Sequence, residues 1–175
     1  MGLNISVAIP AAIFVAAMFG IWAVWGLVWK GRTSALARRF PGSETIDGVR
    51  SKVLDSTSAA YVSRGEWLDG PGAFPMTFAI VIDRTGVSFW KTSNSQLVSI
   101  AWADLGPVTF VRISQSPRSF RGINFQVLRD GVRIDLPVIP IGRGPFGQFV
   151  QSKSAIEAVC LRAESWRQAS GARRE

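Results

Sequence analysis

Met76-Thr77-Phe78-Ala79-Ile80-Val81-Ile82-Asp83-Arg84-Thr85-Gly86-Val87-Ser88-Phe89-Trp90 is the stretch whose reading decides the fold. Phe78, Ile80 and Ile82 recur at every second position, the period of a strand with one buried face. Arg84-Thr85-Gly86 supplies a turn, so Met76–Asp83 and Val87–Thr92 read as a hairpin. Ser93-Asn94-Ser95 is a second turn. Gln96–Trp102 follows as a strand with Val98, Ile100 and Trp102 inward, and Asp104-Leu105-Gly106-Pro107 breaks it.

Working outward, the same alternation continues. Val108–Ser114 is a strand, and Ser114–Ser119 is a basic loop. Phe120–Arg129 and Val132–Val138 form a hairpin around Asp130-Gly131, a dipeptide that fits a two-residue turn. Gly142–Gly147 is a glycine-rich loop. Phe146–Gln168 reads as a helix, with Phe149, Ile156, Cys160 and Ala163 on one stripe and Val159 and Trp166 beside it. Upstream, Ala60–Arg64 is the expected first strand, and Pro71-Gly72 and Pro75 punctuate the loop that follows. Gly42–Ser58 is polar and reads as a linker with one ordered turn or strand.

Gly86-Val87-Ser88-Phe89-Trp90, followed by Leu97-Val98-Ser99-Ile100-Ala101-Trp102-Ala103-Asp104-Leu105, resembles bacterial pleckstrin-homology-like (PH-like) domains. In those domains an apolar-x-Trp-x-Asp-Leu/Ile corner follows a hairpin. The resemblance covers Ala59–Ala169. It implies an α+β, mostly β domain: a bent antiparallel sandwich or half-barrel of six or seven strands, capped by a C-terminal helix. It also implies membrane tethering, binding of lipids or proteins, and no catalysis. Arg84 stands nearly alone at the first hairpin, so phosphoinositide binding does not carry over.

The N-terminal Ile5–Trp29 carries no charge. As a helix of ~1.5 Å rise it would be long enough for a ~30 Å hydrocarbon core, so a single transmembrane anchor is expected. All 20 Lys and Arg and all 12 Asp and Glu follow it, which assigns the whole net charge of +8 to the rest of the chain. Lys30, Arg32, Arg38 and Arg39 precede the first acid, Glu44. The positive-inside rule then puts the N-terminus outside the inner membrane and the domain in the cytoplasm. Trp22, Trp25 and Trp29 share a face suited to the interface, and Ala12, Ala16 and Gly20 form a small-residue ridge on which another helix can pack. A cleaved signal peptide fits less well, because no Lys or Arg precedes the apolar run. Thr33–Phe40 reads as a separate short amphipathic helix ended by Pro41-Gly42. The expected organisation is an anchor over 1–29, a basic juxtamembrane helix and linker over 30–58, the domain over 59–169 and a tail over 170–175.

Few residues carry chemistry. The chain has no histidine and one cysteine, which argues against a zinc site and against the commonest general base. Cys160 falls on an apolar stripe, where a thiol is structural rather than nucleophilic. Gly142-Arg143-Gly144-Pro145-Phe146-Gly147 matches G-x-G-x-x-G, but no strand follows the helix to complete a dinucleotide fold. Ser88 and Lys91 match S-x-x-K, yet on a strand an offset of three puts them on opposite faces. No catalytic residue, cofactor or metal ligand is expected.

The remaining signal is basic. Arg112, Arg118 and Arg121 surround one loop, Arg129 and Arg133 flank the Asp-Gly turn, and Arg143 precedes the last helix. Arginine makes bidentate contacts to phosphates and carboxylates. Expected partners are a lipid bilayer, another membrane protein or complex, and anionic headgroups. Nucleic acid fits poorly, because no aromatic residues interleave with these arginines. The two function classes left are a binding or scaffolding domain at a membrane surface, and an accessory subunit of a larger respiratory, photosynthetic or transport complex.

Overall fold

A computed structural model describes residues 5–54, 56–57, 74–129, 131–142 and 151–171, without the side chains of 5–8, 11, 22, 23, 25–29 and 129. Helix α1 spans Ile5–Arg39. Seven strands follow among the described residues: β1 Glu44–Val49, β2 Thr77–Ile82, β3 Gly86–Trp90, β4 Gln96–Ala101, β5 Leu105–Gln115, β6 Arg118–Arg129 and β7 Val132–Ile141. A single 3-10 turn, Trp102–Asp104, joins β4 to β5, and helix α2, Lys153–Gly171, ends the described chain.

The strands make one antiparallel sheet in the order β4-β3-β2-β1-β7-β6-β5. The expected hairpins form, with Phe78, Ile80, Ile82, Ile123 and Phe125 in the main core; β2 is buried on both faces, because Ala79 and Val81 pack under Leu36 of α1 on the other side. Phe89 of β3 stacks edge-on to Phe125 of β6, 5.7 Å between ring centroids. These strands are four places apart in the sheet, so such contact requires the sheet to curl until its two halves face each other. One core fills the space between them, from Ile46 on β1 to Val138 on β7. Ile156, Val159, Cys160 and Ala163 of α2 complete it, which is the stripe expected from their spacing. Ser152 caps α2, its hydroxyl accepting the Ala155 N–H at 3.2 Å.

The chain turns the corner after β4 on Trp102. Trp102 is 5 % exposed, and its indole N–H donates to the Asp83 carbonyl at 2.9 Å. Gly86 opens β3 opposite this corner at φ +157°, where a Cβ would lie 2.0 Å from the Ile100 carbonyl oxygen. Only glycine fits so close to a neighbouring strand.

Several expectations need correction. The one strand allowed within Gly42–Ser58 exists, but it is no part of a linker: it is β1, central in the sheet and paired with both β2 and β7. The break expected at Asp104-Leu105-Gly106-Pro107 comes slightly earlier, at the 3-10 turn Trp102–Asp104, and Leu105-Gly106-Pro107 already form the bulged start of β5. The first strand expected at Ala60–Arg64 lies outside the described residues, as do Phe149 and all of the glycine-rich loop after Gly142.

The largest correction concerns the N-terminus. Among the described residues, no helix is long and apolar enough to cross a membrane. The transmembrane anchor over 5–29 is overturned on that finding. The single-pass topology and the inner-membrane placement, with N-terminus outside and domain inside, fall with it. The physical reason lies in how α1 is built. It is one rod of 35 residues, not an anchor followed by a separate helix over 33–40. Its last turns carry Lys30, Arg32, Arg38 and Arg39 and belong to the sheet domain.

Candidate functional site

The C-terminal third of α1 lies on the outer face of β1, β2 and β3. Leu36 is fully buried against Ala79, Val81 and Trp90, and Phe40 packs on the Trp90 ring at 5.5 Å. The Arg39 guanidinium sits 5.0 Å over the same ring, a cation–π contact. Arg32 donates to the Asp47 carboxylate at 2.5 Å and to the Thr77 and Lys91 carbonyls at 3.3 Å each. This clamp had no signal in the sequence, because its two charges sit on different elements and no local spacing relates them.

The N-terminal part of α1 has the opposite character. Every described side chain from Ile9 to Val24 is exposed, including Phe14 at 68 % and Ile13 at 64 %. Ile13, Phe14 and Val15 are consecutive, so at ~100° per residue they point around the rod rather than along one face. Ala12, Ala16 and Gly20 are exposed within this arm, and a Cβ at Gly20 would meet nothing within 4 Å. The side chains of Trp22, Trp25 and Trp29 lie outside the description.

The six candidate arginines separate. Arg112 on β5 and Arg121 on β6 are direct cross-strand partners, and both are exposed. Arg118 opens β6 opposite Gln115, and its offset of three from Arg121 points it to the other face. Arg133 pairs with Leu128 at the far end of β6, roughly 23 Å from Arg121 at ~3.3 Å per residue. It is occupied there by Asp135 at 3.8 Å, whose carboxylate also accepts from Asn124 at 2.7 Å. Arg129 is registered opposite Val132, with its side chain outside the description, and Arg143 lies outside the described residues.

The other candidates take structural roles. Ser88 accepts the Trp90 indole N–H at 2.9 Å. A groove of about 310 Å³ opens between the β4–β5 corner and the end of α2, lined by Thr85, Trp102, Leu105, Arg167 and Ser170. Its cation is already neutralised, since Arg167 pairs with Glu164 at 2.9 Å. Glu164 in turn accepts the Val108 backbone N–H at 2.5 Å.

Burial of Cys160, reinforced by Glu164 and Glu157, pushes its thiol from 9.0 up to about 11. The unfolded chain therefore ionises first, so this group's contribution is complete below pH 9.0 and is lost as pH rises towards 11. At pH 8 an aromatic disulfide reagent should leave Cys160 unmodified in the native protein and label it once urea unfolds the chain. Rapid labelling of the native protein would show an accessible thiolate.

No family model matches the chain, and no curated protein matches its sequence.

Proposed function

We propose that the chain is a non-catalytic binding and scaffolding module, a PH-like domain that its apolar arm attaches to a lipid surface. The observation that carries this reading is the exposure of the arm. Ile9, Ile13, Phe14, Val15, Met18, Phe19, Ile21 and Val24 are each between 43 % and 68 % exposed. At about 1.5–3 kcal/mol for full burial of such a side chain, covering them is worth on the order of 10 kcal/mol. That rivals the whole stability of a typical domain, about 5–15 kcal/mol. The meander of β1–β4 and β5–β7, closed by β1 against β7 and followed by one helix, is consistent with the PH-like resemblance.

The arm's ridge of Ala12, Ala16 and Gly20 favours a second reading, an accessory subunit whose partner helix packs there. Vesicle flotation separates the two. The full chain should float with neutral phosphatidylcholine vesicles. A variant carrying Ile13→Ser, Phe14→Ser, Phe19→Ser and Val24→Ser should bind at least about tenfold more weakly. A wild-type chain that stays unbound but co-purifies with a defined complex would replace the first reading with the second.

A further inference from the structure

The turn end of the β5–β6 hairpin holds two cross-strand pairs of matching chemistry, separated by the Ile113–Phe120 pair. Arg112 faces Arg121, and Ser114 faces Ser119. Side chains two apart on a strand share a face, so all four project together. All four are exposed. We infer that Arg112, Arg121, Ser114 and Ser119 form a face that binds a phosphate monoester, whether on a soluble molecule or on a lipid headgroup.

The charge arrangement is the first argument. Like charges directly opposite each other destabilise an antiparallel pair. Neither Arg112 nor Arg121 has an ion pair among the described residues. From Leu105 to Arg129 the chain contains no Asp or Glu, so neither strand of the hairpin supplies a counter-charge. An anion bound between the two guanidinium groups would turn this repulsion into attraction.

The donor set is the second argument. Cross-strand neighbours stand about 5 Å apart and i, i+2 neighbours about 7 Å apart, so the four side chains outline a patch the size of one oxyanion. A carboxylate would be satisfied by a single bidentate arginine. Two arginines and two hydroxyls match the several acceptor oxygens of a phosphate. Arginine keeps its charge at every working pH, whereas a phosphate monoester gains its second charge near pH ~6. Affinity should therefore rise as pH passes through that value, and the ligand's titration alone drives the change.

The face is independent of whatever covers the arm of α1, so the two readings fail separately. Inorganic phosphate at pH 7.5 should raise the melting temperature of the full chain, with chloride at equal ionic strength as the reference. Vesicles of phosphatidylcholine containing phosphatidic acid should bind more tightly than neutral ones. A response to inorganic phosphate assigns a soluble ligand. A response to phosphatidic acid alone assigns a headgroup. Arg112→Gln or Arg121→Gln should weaken the response about tenfold or more, and Ser114→Ala with Ser119→Ala by less. Each arginine variant should melt no lower than wild type without phosphate, because repulsion is removed. Arg133→Gln, at the other end of β6, should leave binding unchanged. No response to either probe would overturn the inference. So would an equal loss in Arg133→Gln, which would mark a diffuse basic surface.

Discussion

Phe89→Ala should destabilise the protein by about 3–5 kcal/mol. Phe89 is fully buried where the two halves of the curled sheet meet. Its ring lies 5.4 Å from Phe74, 5.9 Å from Phe78 and 5.7 Å from Phe125. Truncation removes contacts to both halves at once. The cavity cannot collapse easily, because strands on either side hold its walls. For a chain of this size the melting temperature should fall by roughly 6–20 °C. Urea unfolding followed by tryptophan fluorescence measures the change, and Phe89→Leu should lose less. An unchanged midpoint for Phe89→Ala would mean that the halves do not close on this ring.

Asp47→Ala should cost a comparable amount, about 3–5 kcal/mol, for an electrostatic reason. The side chains of Arg32 and Asp47 are only 10 % and 13 % exposed. Removing the carboxylate leaves a guanidinium held away from water beside the Thr77 and Lys91 carbonyls, each at 3.3 Å. Replacing both charges, Arg32→Met with Asp47→Leu, should be much milder, since no buried charge is stranded. The local readout is the docking of α1. Amide exchange at Leu36 and Phe40 should accelerate in Asp47→Ala and remain slow in the double variant. A loss below about 1 kcal/mol would class the pair with screened surface ion pairs.

The hairpins β2–β3 and β6–β7 were legible because their information is local. Alternation sets which face is buried, and Arg84-Thr85-Gly86 and Asp130-Gly131 set where the chain reverses. The buried stripe of α2 was legible for the same reason. Strand β1 was not. Its Asp47 looks like a surface residue until Arg32 arrives from α1. Its Gly48 looks like a loop residue until Phe78 and Val138 crowd it, each within 3.0 Å of where a Cβ would sit. Both neighbours are distant in sequence.

The site divides along the same line. The clustering of Arg112, Arg118 and Arg121 around one loop could be read from spacing. That Arg112 meets Arg121 while Arg118 turns away depends on register, and a slip of one residue would exchange their faces. The apolar composition of Ile5–Trp29 and its helical character belong to the sequence, but composition alone led to a membrane span that the described helix does not meet. By itself the sequence determined period, turn and charge, which depend on neighbours a few residues apart. The tertiary structure decided the closure of β1 on β7, the clamp of Arg32 on Asp47 and the pairing of the two arginines. Each of these joins residues brought together only when the sheet curls or a strand finds its register.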